Sequence, residues 1–144
     1  MLFPEVKLRP DQGAKGYYAN TLGGDRLSCT VGGKSPTGFH AHILGMDDPI
    51  DPKKALSEAE TANAREFVLN YLPTRKVDKE VSVTLLIQQR LGRGDSSEVM
   101  LTNARKEGAS KVRHICLPAE LSDNVLPVDL RDKYVDGLMD PIRL

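Results

Sequence analysis

The sequence predicts a mixed α/β fold, with a mostly parallel sheet, flanking helices and irregular segments at both ends. Short apolar runs over residues 41–46, 81–87 and 111–117 end at polar or turn-forming residues, which is typical of strands in a sheet. Helical patterns over residues 55–72 and 95–106 separate these runs. Because strands that alternate with helices favour parallel pairing through right-handed crossovers, this order predicts an α/β domain.

The two ends of the chain are predicted to be irregular. Residues 1–25 are rich in Gly, Pro and polar side chains, which predicts loops around one short element. Residues 26–31 have the composition of a strand, and a Gly-Gly turn follows them. The predicted order over residues 26–117 is therefore β, β, α, β, α, β. Residues 118–144 contain many Pro, Asp and Gly residues, so a tail with at most a short helix near residues 130–135 is expected.

Capping residues mark the predicted helices. Ser57 and Glu60 form a Ser-x-x-Glu capping box at the start of the first helix, and Pro73 is expected to end it. Asp95 and Glu98 have the same spacing and are predicted to cap the second helix. Both helices thus have start signals that are independent of their apolar patterns.

Composition and charge argue against several classes of protein. The 144 residues carry 20 basic and 20 acidic side chains, so the chain as a whole lacks the positive field of a dedicated nucleic-acid-binding protein. No apolar run approaches the roughly 18 residues of a transmembrane helix, and no signal peptide is evident, so we expect a cytoplasmic protein without a membrane partner. Cys29 and Cys116 are far apart in strand-like surroundings and are expected to be buried free thiols.

Two adjacent carboxylates, Asp47 and Asp48, follow an apolar run and precede Pro49. A parallel strand holds such a pair at the carboxyl edge of its sheet, where ligands of open α/β sheets bind and where Mg²⁺ bridging nucleotide phosphates finds oxygen ligands. The pattern resembles a Walker B motif, in which Asp47 holds the metal through water and Asp48 orients or deprotonates the attacking water. The alternative is a strand that ends in an Asp-Asp-Pro turn, because Asp and Pro both favour turns.

The Gly-Lys-Ser sequence at residues 33–35 matches the end of a phosphate-binding P-loop, GxxxxGK[ST]. However, Ser28 stands where the first Gly of that motif belongs, and Pro36 interrupts the helix that should begin there. Asp47 also follows Lys34 too closely for a βαβ unit, which takes about 30 residues. We therefore interpret this Gly-rich segment as a turn.

His40 and His42 have the spacing that places two side chains on one face of a strand. With Asp47 or Asp48 as a further ligand, they suggest a transition-metal site and hence a metalloenzyme. Such sites usually need about three or four convergent ligands, and the remaining histidine, His114, is distant in the sequence. Polar residues at the entry of a strand are the interpretation that we favour.

Residues 37–49 run from Thr-Gly through an apolar strand to Asp-Asp-Pro, and this passage resembles phage terminase large subunits. Ser57, the Leu-Pro-Thr-Arg sequence at residues 72–75 and the Leu-Leu-Ile-Gln-Gln-Arg-Leu sequence at residues 85–91 are similar to segments that follow in that family. The family's His-Glu-Asp-Asp sequence is replaced here by Gly-Arg-Gly-Asp at residues 92–95, which keeps only the last Asp. The resemblance covers nearly the whole chain and includes residues 3–4, 23–27, 117–120 and 137–141.

The resemblance implies a partial P-loop NTPase-like fold and assigns roles to specific residues. Asp47 corresponds to the carboxylate that binds Mg²⁺ and, through it, ATP, and Asp48 corresponds to the catalytic acid. Gln89 and Arg90 resemble the coupling motif that senses the γ-phosphate, because a Gln orients water and an Arg stabilises phosphoryl charge. Arg75 is either an arginine that acts in trans on a neighbouring subunit or a solvated charge at a helix end.

The same resemblance implies a domain organisation. Residues 1–117 correspond to the second half of an ATPase domain, and residues 118–144 to a linker toward a nuclease domain that the sequence lacks. In this family the motor packages double-stranded DNA into procapsids in the host cytoplasm, with the portal protein, the small terminase subunit and further copies of itself as partners. Because no credible P-loop is present, we expect the isolated chain to be inactive in ATP hydrolysis. The alternatives are a non-enzymatic α/β binding module and a degenerate prophage remnant.

Overall fold

The computed structural model describes residues 4–14, 16–31, 37–109 and 111–139. The chain divides into two units, Met1–Val99 and Met100–Leu144. Its secondary structure mixes short strands with α- and 3₁₀-helices and includes a small parallel sheet in the first unit, so the predicted mixture of α and β structure is confirmed. The predicted mostly parallel sheet is not found: of the five described strands, three form an antiparallel sheet and two form a parallel pair. Within the described ranges, no helix combines the length and the apolar character that crossing a membrane requires.

The first unit opens with a three-stranded antiparallel sheet. Strand β1 (Leu8–Gly13) pairs with β2 (Tyr17–Asn20), which pairs with β3 (Asp25–Leu27). The prediction of loops around one short element over residues 1–25 is therefore wrong. Turn-forming residues such as Pro10 suggested loops, but Pro is also tolerated in an edge strand, where one side of the backbone needs no ladder partner.

The strand predicted over residues 26–31 ends earlier than expected, at Leu27. One further backbone hydrogen bond follows β3: Ser28 N–H donates to the carbonyl of Gly16, the residue before β2, at 2.8 Å. Beyond this bond, Cys29 is exposed and has no partner strand among the described residues. The expectation of a buried thiol at this position is therefore wrong, because strand-like composition does not by itself supply a pairing partner.

A parallel pair of strands forms the second sheet of this unit. Strand β4 (Ile43–Asp47) lies beside β5 (Val83–Ile87), with Asp47 opposite Ile87. Both strands and their parallel direction were predicted from the sequence. Burial on both faces was also predicted for residues 81–87, and this is wrong: one face of the pair, which bears Ile43 and Ile87, is exposed.

The helix predicted over residues 55–72 is present but changes its hydrogen-bond pattern. Helix α1 begins after Ser57, whose Oγ accepts a backbone hydrogen bond at 3.4 Å from Glu60 N–H. Pro73 was expected to end the helix, yet the helical turn continues, because Pro occupies the first turn of a 3₁₀-helix and loses no bond there. The helical bounds in this region are Pro52–Lys54 (3₁₀), Glu58–Glu66 (α1), Phe67–Tyr71 (π) and Leu72–Arg75 (3₁₀).

The first unit has a small apolar core. Three of its buried side chains, Ala64, Val68 and Leu72, follow at four-residue intervals and so lie on one face of the helical segment. The other buried apolar side chains among the described residues of this unit come from β2, β4 and the turn after β4: Ala19, Met46 and Ile50. Helix α2 (Ser96–Ala104) confirms the helix predicted over residues 95–106.

The second unit has little regular structure. The strand predicted over residues 111–117 is not formed, because this segment pairs with the other described residues at one position alone, through two 2.9 Å hydrogen bonds between Cys116 and Leu126. Cys116 is partly exposed and not buried as expected. A 3₁₀-helix, Val128–Lys133, lies where a short helix was predicted, and Val125 is fully buried.

Candidate functional site

The two carboxylates lie at the carboxyl end of β4, as predicted. Asp47 is the last residue of the strand, and Asp48 N–H donates a hydrogen bond of 2.9 Å to the carbonyl of Ile87. Asp48 has a φ of 41°, a left-handed conformation that Asp adopts more readily than most residues. Both side chains are exposed, so the turn presents two carboxylates to solvent at this edge of the sheet.

The polar residues that follow β5 leave the sheet at the same edge. Because Ile87 lies opposite Asp47, Gln88 and Gln89 follow directly beside the end of β4. Gln89 is exposed, whereas Gln88 is half-buried and its Nε2 has no hydrogen-bond partner among the described residues. The parallel register therefore brings together the chain segments that carry the predicted acidic pair and the predicted coupling residues.

Arg90, the third predicted catalytic residue, has partners of its own. Its Nε donates to Asp95 Oδ2 at 2.8 Å, and its Nη2 donates to the Gly92 carbonyl at 3.3 Å and to Glu98 Oε2 at 3.4 Å. The Arg90 side chain is 55% exposed. In this structure its guanidinium therefore joins the end of β5 to the start of α2, and its role toward a nucleotide stays a prediction.

Asp95 is the centre of this group, and its side chain is 3% exposed. Its Oδ1 accepts hydrogen bonds from Glu98 N–H at 2.9 Å and from Ser97 Oγ–H at 2.8 Å, while Oδ2 also accepts one from Leu91 N–H at 3.2 Å. Burial by itself would raise the pKa of the Asp95 carboxyl, but these donors and the Arg90 charge together hold that pKa below its usual value. The sequence predicted Asp95 as a cap but gave no sign of its link to Arg90.

A cavity of about 650 Å³ lies along β4 and is lined by every residue of that strand. Its size is within the roughly 300–1,000 Å³ of small-molecule sites. The His42 carbonyl and the Asp48 N–H form hydrogen bonds with β5. Because successive residues of a strand alternate in direction, the backbone groups of Gly45 and Asp47 point to the opposite edge of β4. Asp48 also lines the cavity. The candidate site thus includes the acidic pair and the edge of β4 that has no partner strand among the described residues.

Three stacked side chains form another part of the cavity lining. The rings of Phe67 and Tyr71 are stacked, with centroids 4.9 Å apart and an angle of 23° between their planes. The guanidinium carbon of Arg75 lies 4.8 Å from the centroid of Tyr71, and Arg75 is half-buried. Arg75 is thus packed on an aromatic ring as well as charged, and its action in trans on a neighbouring subunit stays a prediction. The sequence signal that could have revealed the stack is the four-residue spacing of these three residues.

The structure does not assemble the metal site considered for His40 and His42. His40 lines the cavity but His42 does not, and both are exposed. Within the described parts of the chain, no three His, Cys, Asp or Glu side chains are grouped closely enough to hold a metal ion. The P-loop-like residues 33–35 lie outside the described residues.

Comparison with protein-family models, with curated proteins and with solved structures gave no match. The functional argument therefore depends on the residues of the site themselves.

Proposed function

We propose that this chain supplies the Walker B half of the ATPase domain of a phage terminase large subunit, the motor that packages viral DNA. The observation that supports the proposal is the parallel register of β4 and β5, in which Asp47 lies opposite Ile87. This register places the acidic pair and the Gln-Gln-Arg sequence at one edge, where nucleotides bind in open α/β sheets. A P-loop NTPase-like fold belongs to the same proposal.

In this proposal the cofactors are ATP and Mg²⁺. Asp47 binds Mg²⁺ at the end of β4, and Asp48 orients the attacking water, with Gln89 beside it. The phosphates of ATP also need a cradle of backbone N–H groups, so the chain alone is expected to bind Mg-ATP weakly and not to hydrolyse it. Double-stranded DNA, the portal protein, the small terminase subunit and further copies of the chain are the proposed partners, in the host cytoplasm.

Arg90 gives the proposed site a connection to the rest of the first unit. Its 2.8 Å bond to Asp95 links the end of β5 to the cap of α2. For Arg90 to reach a γ-phosphate it must release Asp95. The Asp95 carboxylate then loses the hydrogen bond that it accepts from Arg90 beside the start of α2. Nucleotide binding at the Asp47 edge would thereby change the stability of the first turn of α2.

The proposal is tested by binding of Mn²⁺, a paramagnetic substitute for Mg²⁺, in the presence of ATP. Water-proton relaxation is measured for the native chain, for Asp47→Asn and for Asp132→Asn, an exposed carboxylate in the second unit that serves as the matched control. We expect Asp47→Asn to weaken Mn-ATP binding by about tenfold or more, a loss of about 1.4 kcal/mol, and Asp132→Asn to leave it unchanged. Equal affinity in all three proteins would contradict the proposal.

The coding sequence on either side of this chain provides a second test. Reading several hundred bases upstream in every frame should reveal a strand followed by a P-loop in the same frame. A P-loop there would allow Asp47 and Asp48 to be tested as catalytic residues in the joined protein. A stop codon with a genuine start signal would instead favour a remnant or a binding module.

The second candidate, a non-enzymatic α/β binding module, is favoured by the cavity and its stacked aromatic lining. It predicts that ligands enter this cavity without a divalent cation. It also predicts that Asp48→Asn has no effect on function, even in a protein joined to upstream sequence. The Mn²⁺ measurement distinguishes the two candidates, because a binding module shows no ATP-dependent retention of Mn²⁺.

A further inference from the structure

Arg75 is held in a fixed plane at the cavity, yet most of its donors have no acceptor among the described residues. Its guanidinium lies over Tyr71, and its Nε donates to Thr74 Oγ1 at 3.2 Å. Among the described residues, neither of its terminal nitrogens donates a hydrogen bond and no carboxylate lies within ion-pair distance. These nitrogens are not buried without a partner, so they are open to solvent and can donate paired hydrogen bonds to an anionic ligand.

Arg26 repeats this arrangement at the same cavity. Its guanidinium carbon lies 5.6 Å from the centroid of the Tyr18 ring, and its Nη1 donates to Tyr18 Oη at 3.2 Å. Among the described residues it likewise has no carboxylate partner at ion-pair distance. Two cations oriented by aromatic rings therefore line one cavity.

Arg75 is distant from the acidic pair along β4. Its carbonyl accepts a hydrogen bond of 2.8 Å from Ala41 N–H, which places it beside the start of the strand. Asp47 follows Ala41 by six residues. At about 3.3 Å per residue, the backbone positions beside Arg75 and at Asp47 are roughly 20 Å apart. The cation and the carboxylates thus belong to different ends of the cavity.

We propose that the Arg75 end of the cavity is an oxyanion-binding site, which takes a phosphate or carboxylate group of a ligand. The planar guanidinium fork matches both groups through paired N–H donors. Tyr71 fixes the plane of the fork, and Thr74 occupies Nε, so the terminal nitrogens bind the anion. This proposal does not depend on the nucleotide proposal, because it needs neither Mg²⁺ nor Asp47.

The test follows two kinds of NMR signal of the full chain during titration with sodium phosphate or sodium acetate: the arginine Nε–Hε signals, and the backbone N–H signals of Ala41 and Thr74, which remain in variants at Arg75. Divalent cations are absent and the ionic strength is held constant with sodium chloride. We expect the Arg75 signal to shift and to saturate with at least one of the two anions, and Arg75→Gln to weaken that binding by about 10- to 100-fold. Saturation by phosphate alone assigns a phosphate ligand, and saturation by acetate alone assigns a carboxylate ligand.

Three variants keep the test specific. Arg105→Gln removes the same charge from an exposed arginine that does not line the cavity, and should leave the affinity unchanged. Arg75→Lys keeps the charge but not the fork, so it should bind with intermediate affinity even if Arg75→Gln fails to fold. Asp47→Asn should keep its anion affinity, which separates this site from the proposed metal site. No saturation by either anion, or equal weakening by Arg75→Gln and Arg105→Gln, would overturn the proposal.

Discussion

Replacing Asp95 with Ala should destabilise the first unit strongly, because this one buried carboxylate accepts hydrogen bonds from three sequence neighbours and from Arg90. It caps α2 through Glu98 N–H and also accepts from Leu91 N–H and from the Ser97 hydroxyl. The substitution leaves each of these donors without its acceptor. The Arg90 guanidinium loses its partner as well.

The size of the effect follows from these contacts. Loss of an N-cap side chain costs about 0.5–2 kcal/mol, and each further lost hydrogen bond about 0.5–1.5 kcal/mol. The ion pair itself adds less than about 1 kcal/mol, because the Arg90 side chain is 55% exposed and is screened by solvent. We therefore expect Asp95→Ala to lower the free energy of unfolding by roughly 2–4 kcal/mol. Asp95→Asn keeps an oxygen acceptor and should cost roughly 1 kcal/mol.

Urea unfolding monitored by circular dichroism measures these changes, provided that the slope of the transition is the same for each variant. Asp132→Ala is the control, because Asp132 is an exposed carboxylate without a hydrogen-bond or ion-pair partner among the described residues. It should change the free energy of unfolding by less than about 0.5 kcal/mol. If the free energies of unfolding of Asp95→Ala and of the control differed by less than that margin, water would be replacing the carboxylate without loss of stability. The capping group would then not be the stabilising unit described above.

Two further predictions concern pH and backbone conformation. Because the pKa of Asp95 is lowered in the folded chain, its contribution to stability should be present above its ordinary value of 3.8 and lost as the pH falls through the folded value. The urea midpoints of the native chain and of Asp95→Asn should therefore converge in acid. A difference between the midpoints that stayed constant down to about pH 2, roughly two units below that ordinary value, would contradict this cause. Asp48 has a φ of 41°, so its replacement by Gly should be tolerated, whereas replacement by Val should lower the free energy of unfolding by roughly 1–2 kcal/mol. Equal thermal midpoints for the two variants would argue against a left-handed turn.

The sequence predicted those elements whose signals are local. Alternating or continuous apolar residues identified β4 and β5, and the Ser57 and Asp95 caps located the starts of α1 and α2. The acidic pair was also visible, because a strand that ends in two carboxylates is a pattern of adjacent residues. Such features depend on backbone periodicity and capping chemistry, which short stretches of sequence specify.

Elements that depend on partners distant in the sequence were predicted less well. Strand β1 contains Pro10 and lies where loops around one short element were predicted. Residues 111–117 have strand-like composition, but among the described residues they pair at Cys116 alone. In both cases the outcome depends on whether another segment offers a free edge, and composition does not encode this directly.

The candidate site shows the same division. The carboxylates after β4 and the Gln and Arg after β5 are evident from the sequence, because they are properties of neighbouring residues. The bond between Arg90 and Asp95, the stacking of Arg75 on Tyr71 and the cavity lined by both Arg75 and Asp47 are visible in the folded chain alone. The reason is physical: a side chain's partner is set by the register between strands and by the course of the helical segment, which bring together residues that are far apart in the chain.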